Sequence, residues 1–471
     1  MKTKSVTLII LFLIIYKINA QEYGTWNEID SLNYVRVGHA MVVLPNGNVL
    51  VSGASITDTL NTASSCEIFD INTQTWRPTN PLLAPMYGHF MEVLNSGEIL
   101  AFGGATTVCQ IFNPNTEEWR LTDSVPTLRN WNSGKYVKLN NNMIMIMGGV
   151  FWDFTASPLK TLNNCEIFNP TTETWEVVSP LKYARSAFSA TTLNDGRVLV
   201  SGGKNGKTKY KYCEIYNPQT NSWTETDSLP YARSAHAQIL LENGNVLLIG
   251  GDTFDENGNQ IEENFCAIFD IQTEKWIEIE GILKYRNSPA AFKITNNQIM
   301  LIGGDLNDSW EIYDLEKQKT VYSDNFIVDG LDLHERNVLQ LTNKNIMVIG
   351  GLQWVNGTVP EINLSKRCFV FDIVSSVTKQ KFIVKGFKLF QNYPNPFNPS
   401  TLLNYQIPEN NYVNLTVYNS LGQTVAELVK EYQSKGKYSV EFDASNLSSG
   451  IYFYKIKAGE FSDVKKMLLT K

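Results

Sequence analysis

Histidine is scarce in this 471-residue chain, which has only His39, His89, His236 and His334. A metal centre draws on several converging ligands with hydrogen-bonded groups behind them, so few sites could be assembled from this supply. The sequence contains no His-Glu-x-x-His, no Gly-x-Ser-x-Gly and no glycine-rich phosphate loop, and those zinc, serine-hydrolase and nucleotide arrangements are excluded. Beyond the first 20 residues no run is long and apolar enough to cross a bilayer. Helical periodicity is missing, and so is net positive charge: 47 acidic side chains face 40 basic ones, giving −7. Setting aside Lys2, Lys4 and Lys17 of the first segment takes this to −10. Such a field repels polyanions and argues against nucleic acid as a partner.

Residues 1–20 have a short basic start, an apolar stretch from Val6 to Tyr16, and Ile18-Asn19-Ala20 before polar Gln21. This is the layout of a secretory signal peptide cut after Ala20. The apolar part falls short of a membrane span, and no cysteine follows the cut to accept a lipid. No transmembrane segment is expected to remain after cleavage.

The rest of the chain is repetitive. A strand ending in Gly-Gly recurs at Gly103, Gly148, Gly202, Gly250, Gly303 and Gly350, with Gly53-Ala54 as a variant first copy, roughly fifty residues apart. Each unit reads as four short strands. Turns such as Pro45-Asn46-Gly47-Asn48 join the first two, a variable loop leads to a third such as Cys66 to Asp70, and a fourth is opened by Trp76. Sheets of this size bury their faces by stacking radially as blades. The Gly-Gly pairs, the runs Glu166 to Trp175 and Glu214 to Trp223, and the Arg-Ser-Ala runs at Arg185 and Arg233 resemble the kelch repeat. The resemblance covers about residues 22–382 and implies an all-β, seven-bladed propeller. Thr320 and Thr378 stand where other units have the tryptophan. Trp26 belongs to a fourth strand that has no first three before it, and is expected to complete blade 7 and close the ring.

Cys66, Cys109, Cys165, Cys213, Cys266 and Cys368 all open a third strand, with Trp310 in that place in unit 6. Equivalent positions on adjacent blades should lie on the order of 13 Å apart, beyond the ~7 Å reach of a disulfide. Buried packing is favoured over a disulfide framework or metal cluster.

Composition changes near Phe382. Residues 385–471 hold ten lysines, seven acids and no arginine, and their alternating apolar positions describe a small Ig-like β-sandwich over 383–471. Asn392 to Pro399, Val417 to Gly422, Ser449 to Tyr454 and Lys465-Lys466-Met467 resemble the type A sorting domain of the type IX secretion system. That resemblance implies export to the cell surface or medium, contact with the secretion machinery, and a signal carried by Pro394, Pro396, Gly450, Lys465 and Lys466.

Activity is less legible. Arg36, Arg185, Arg233 and Arg286 stand three residues before a slot holding His39, Phe188, His236 and Pro289, with Arg129 and Arg336 nearby. They are expected to ring one mouth of the channel. Two roles stay open for them: binding an acidic ligand through the planar guanidinium, or satisfying loop carbonyls between blades. Trp131, Trp152 and Trp354 fall in loops at the same end, where length varies most and where a glycan or protein ligand would bind. The three histidines of the slot share it with Gly134, Phe188 and Pro289, which reads as packing. No metal or other cofactor is expected. Two hypotheses follow: a non-catalytic binding propeller, or a carbohydrate-active kelch enzyme of the sugar oxidase or sialic-acid mutarotase type.

Overall fold

The computed structural model describes residues 23–53, 63–130, 133–153, 156–254, 260–261, 264–305, 309–326, 331–332, 337–350, 352–354, 362–373, 387–392, 394–433 and 436–470. The export segment at residues 1–20 lies outside them. The chain separates into two compact units, Met1–Val374 and Ser375–Lys471. The stretch 374–386, where the sequence places the boundary, is also outside the described residues.

The first unit is built from seven four-stranded antiparallel sheets. Blade 1 runs Ala40–Val43, Val49–Ser52, Cys66–Asp70, Thr75–Thr79, and the same sequential order recurs through blade 6, which ends at Lys319–Asn325. Blade 7 differs: Asn337–Gln340, Ile346–Ile349 and Cys368–Ile373 take Gly24–Ile29 as their fourth strand, with Trp26 opposite Phe371. The inner strands adjoin in succession, and Asn337–Gln340 lies beside Ala40–Val43, so the ring closes.

Burial follows from this stacking. The second strands Val49–Ser52, Ile99–Phe102, Ile144–Met147, Val198–Ser201, Val246–Ile249 and Ile346–Ile349 are buried at every position. A strand covered on both faces reads as a near-continuous apolar run, as these do apart from the terminal Ser52 and Ser201, whose hydroxyls are hydrogen-bonded. Farther out, each fourth-strand tryptophan packs on the aromatic residue of its third strand, for example Phe69–Trp76 at 5.1 Å and Phe168–Trp175 at 5.2 Å between ring centroids. In blade 6 the exchange of positions is compensated, because Trp310 on the third strand meets Tyr322 on the fourth at 4.8 Å. Between blades, Asp30 accepts from the backbone N–H of Trp76 at 3.0 Å, as Asp123 does from Trp175 and Asp227 from Trp276.

All six cysteines are unbridged and buried. Five thiols lie 3.5–3.6 Å from the carbonyl oxygen two residues earlier. Burial pushes the Cys66, Cys165, Cys213 and Cys368 thiols up to about 12, so they behave as small apolar groups.

The glycine pairs sit where blades meet. Gly148, Gly202 and Gly250 have φ of +57°, +58° and +67°, and a Cβ on any of them would come within 2.7 Å of the carbonyl oxygen of the next blade's arginine. The second glycine then donates its N–H to that same oxygen: Gly149 to Arg185, Gly203 to Arg233 and Gly251 to Arg286, each 2.8 Å. Only a residue without a side chain permits both the backbone conformation and the approach.

In the second unit, Ser400–Ile407 pairs with Lys388–Leu389 and Gly436–Asp443, while Asn411–Asn419, Thr424–Gln433, Gly450–Ala458 and Phe461–Leu469 form a four-stranded sheet. Alternate residues Leu403, Tyr405, Val413, Leu415, Val417, Tyr454 and Ile456 fill the core between them. Met467 is buried there, Lys466 beside it is exposed and Lys465 half-buried. The carbonyl of Pro394 accepts from Asn392 and Thr401, which anchors the proline-rich entry.

The blade seam is testable by comparing two glycines of positive φ. Gly250→Ala should cost about 2–4 kcal/mol, because a clash and a broken seam bond add to the backbone strain. Gly206→Ala, with nothing within 4 Å of its added Cβ, should cost only about 1 kcal/mol of strain. Urea midpoints at unchanged slope measure both.

Candidate binding face

The loops joining second to third strands and those joining one blade to the next emerge at the same end of the ring. Here the chain builds extra hairpins: Val150–Asp153 with Ala156–Thr161 on blade 3, Lys204–Asn205 with Thr208–Lys209 on blade 4, and Leu352–Trp354 with Ile362–Leu364 on blade 7. At this end a cavity of about 590 Å³ opens among the first strands of blades 3 to 6. Its lining includes Ser133, Lys135, Ser186, Lys204, His236 and Gln238.

The rim has an unusual backbone. Ala187, Ala235 and Ser288 have φ of +50°, +57° and +56°, where blades 1 and 2 have Gly38 and Gly88. Their N–H groups form blade-to-blade bonds of 2.7 Å, from Ala235 to the Ala187 carbonyl and from Ser288 to the Ala235 carbonyl, as Gly88 bonds to Gly38. The left-handed conformation costs a non-glycine residue roughly 1–2 kcal/mol, which this chain of bonds offsets.

The arginines do not face the channel mouth, and the structure corrects the expectation that they could receive a ligand. Arg36, Arg129, Arg185, Arg233 and Arg286 are at most 2% exposed. Each donates to the carbonyl of the first glycine of its own blade, at 2.5–2.8 Å: Gly53, Gly148, Gly202, Gly250 and Gly303. Four also pair with a buried glutamate on the third strand, Arg36 with Glu67 at 3.0 Å, Arg185 with Glu214 and Arg286 with Glu311 at 2.5 Å, and Arg129 with Glu166. In blade 5 Ala267 replaces the glutamate, and the Arg233 guanidinium stacks 3.7 Å from the centroid of Phe265. Blade 2 replaces both members at once: Met86 stands for the arginine and Gln110 for the glutamate, with the Gln110 amide bonded to Leu83 and Ala84. Arginine and glutamate depart together in blade 2 and separately in blade 5, and where both are present their charge is spent inside the blade.

Histidines of the slot tie blades together as well. Ser52 Oγ lies 2.8 Å from His89 Nε2, and Ser201 Oγ lies 2.8 Å from His236 Nε2, each bond crossing from one blade to the next. Burial beside the cationic arginines holds His39 and His89 down to about 3 and keeps His236 well below the ordinary histidine range. All three rings are neutral at physiological pH.

Of the tryptophans, Trp152 and Trp354 are carried by the blade 3 and blade 7 hairpins of this face, whereas Trp131, with Arg336 and His334, lies outside the described residues. Lys135, Lys204 and Gln238 were not anticipated from the sequence. Aligning the units would have flagged the first, since Lys135 occupies a position held by Ala40, Phe90, Ser189, Ala237 and Ala290 elsewhere.

Comparison with known proteins agrees with this architecture. The model of the KLHDC2/KLHL20/DRC7 Kelch-repeats domain matches residues 38–251 and 109–304, and that of the Secretion system C-terminal sorting domain matches residues 391–470. The chain belongs to the kelch-repeat family. Kelch repeat and BTB domain-containing protein 12 of Danio rerio is 24% identical over 214 residues, 42% of this chain and 34% of that protein, so the match spans about a third of the relative. A solved structure described as a novel fungal alcohol oxidase of the AA5 family in complex with copper covers 95% of this chain and 100% of its own, with TM-score 0.57 and 12% identity. At that identity the likeness is one of fold. The sorting domain directs this kelch chain to the outer surface or extracellular space through the type IX machinery.

Among the described residues the histidines, cysteines and carboxylates of this kelch propeller do not assemble a metal centre. Its slot histidines stand on separate blades with buried rings, its cysteines are packed between blades, and among the described residues no three His, Cys, Asp or Glu side chains converge.

Two outcomes follow from the buried charges. Removing one partner, as in Glu214→Ala, should destabilise the propeller by about 3–5 kcal/mol by leaving Arg185 unpaired. The double variant Arg185→Met with Glu214→Gln, which copies blade 2, should recover most of that loss in a double-mutant cycle. For the histidines, the folded-state affinity for protons is depressed, so their contribution is complete above the unfolded value near 6.5 and is lost as pH falls toward 3. Stability should fall by up to about 1.4 kcal/mol per pH unit for each ring between pH 6.5 and 5, where carboxylates stay ionised. His89→Phe, which copies Phe188 of blade 4, should flatten that slope in denaturant titrations.

Proposed function

We propose that this chain is an exported kelch propeller acting as a non-catalytic binding module for a glycan or protein, engaged at the end of the ring that carries the extra hairpins. The observation that supports the reading best is the cavity of about 590 Å³ framed by those hairpins, lined by serines, lysines and an amide together with Val150, Leu159 and Pro289. Mixed apolar and hydrogen-bonding walls on a rigid ring suit recognition of a shaped ligand. Such a site lacks the parts for chemistry. Its histidine is neutral and bonded to a buried serine, and among the described residues no carboxylate lines the cavity to act as acid or base.

The competing class is a carbohydrate-active enzyme. The purified chain, screened against immobilised glycans and candidate surface proteins, should retain a ligand while showing no turnover. Copper content, peroxide release with sugars and alcohols, and anomer exchange of sialic acid are measured on the same sample. Stoichiometric copper with peroxide release, or accelerated anomer exchange, would overturn the binding reading. Replacing Trp152 and Trp354 by alanine tests the hairpins: weaker retention is expected, and an unchanged profile removes both residues from the site.

A further inference from the structure

We propose that the ligand of this cavity is an acidic saccharide, whose carboxylate or sulfate group is held by Lys135 and Lys204; the inference rests on the binding reading above. The propeller is acidic overall, yet the two charged side chains lining this cavity are both lysines, and no aspartate or glutamate lines it among the described residues. Neither lysine has an ion-pair partner among the described residues. Neighbouring charges do. Lys138, on the same strand as Lys135, pairs with Glu92 and donates to the carbonyl of Val93 at 2.6 Å. Asp252, beside the blade 4 hairpin, is held by Lys209 at 2.7 Å and by Ser234 Oγ at 2.6 Å. The carboxylates near the cavity are thus engaged, and the cavity keeps an uncompensated positive charge.

Nothing in the fold calls for a cation at Lys135. The same position is alanine, phenylalanine, serine or asparagine on the other blades, and those inner strands form equally well. Lys135 is exposed at the cavity wall, where the surrounding protein still lowers its proton affinity and no carboxylate among the described residues offsets that effect. A bound anion would relieve it. An exposed ammonium on a cavity wall, with no ion-pair partner among the described residues, is placed to meet a ligand's counter-charge.

The remaining walls select the body attached to that acid. Gln238 accepts from Ser201 Oγ at 2.7 Å through Oε1, and its buried Nε2 has no hydrogen-bond partner among the described residues. A ligand hydroxyl or ring oxygen can complete it. Ser133, Ser186, Ser189 and Ser288 line the same space; their hydroxyls donate to Val150, Lys204, His236 and Asn287 and keep lone pairs that can accept from ligand hydroxyls. A peptide strand would instead seek free backbone groups, and the rim N–H groups of Gly88, Ala235 and Ser288 are closed on the next blade. Side-chain donors around a small cavity with apolar patches from Val150 and Leu159 fit a polyhydroxylated ring carrying one acidic group.

Titration calorimetry on the full chain tests this with four probes: a uronic-acid oligosaccharide, a sulfated oligosaccharide, their neutral counterpart, and an acidic peptide. One of the two acidic sugars should bind, more weakly as salt rises, and the choice between them tells carboxylate from sulfate. Lys135→Gln and Lys204→Gln should each weaken that binding by about tenfold or more. Lys135→Arg should keep most of it, and Lys317→Gln, far along the sequence on the outermost strand turn, should leave it unchanged. If Lys135→Gln fails to fold, Lys204→Gln and Lys135→Arg carry the comparison. Equal affinity for the neutral sugar, or lysine variants that bind like the parent, would overturn the proposal while leaving a binding module. Binding of the peptide alone would replace the saccharide by a protein ligand. No binding of any probe, and none in the wider screen, would overturn both readings.

Discussion

Everything in the propeller depends on the distance at which one blade can meet the next. That distance is set by a backbone bond from a glycine N–H to the carbonyl of an arginine, 2.8 Å at three successive seams. A carbonyl so close to another blade's backbone is tolerated only because the facing residue has no Cβ. The arginine whose carbonyl is used then turns its guanidinium back into its own blade, to the first glycine's oxygen and, for Arg185 and Arg286, a buried glutamate, or for Arg233 the Phe265 ring. One residue thus holds a seam through its backbone and a blade through its side chain. A buried ion pair adds little stability by itself. Its value here is geometric, since a planar fork with fixed partners holds the loop in one arrangement.

The blade count, the closing strand and the packing of the cysteines were legible in the sequence because each is written as a repeat. When Cys66 and its counterparts occupy one register position, a pairwise bond between them is excluded by symmetry and distance, and the structure bears this out. Trp26 could be placed on blade 7 for the same reason. What the repeat concealed was direction. Arg36 and its equivalents looked like a ring of charge, and their inward turn depends on Glu67, Glu166, Glu214 and Glu311, which lie some thirty residues downstream on another strand. Blade 2 held the clue, since Met86 and Gln110 depart together. Lys135 was overlooked for the opposite reason: it interrupts the repeat, and attention to what recurs passes over what does not.

This division has a physical basis. Positions that recur are those every blade needs, so they report packing. A ligand breaks the symmetry of the ring, touching some blades and not others. The cavity accordingly draws on blades 3 to 6, and its charge comes from residues with no counterpart in the other blades. The fold supplies rigidity through the seam and leaves the rim side chains free to vary.

The strand Gly24–Ile29 has a consequence for how such a protein is made. Its partner, Cys368–Ile373, is synthesised about 340 residues later, so blade 7 cannot form until nearly the whole ring has emerged. A contact of that separation is slow to find and comes late in folding. Until then the chain carries an open edge at each end while the blades between them assemble locally. For a chain sorted to the outer surface or extracellular space, that delay keeps the ring open until both of its ends are present.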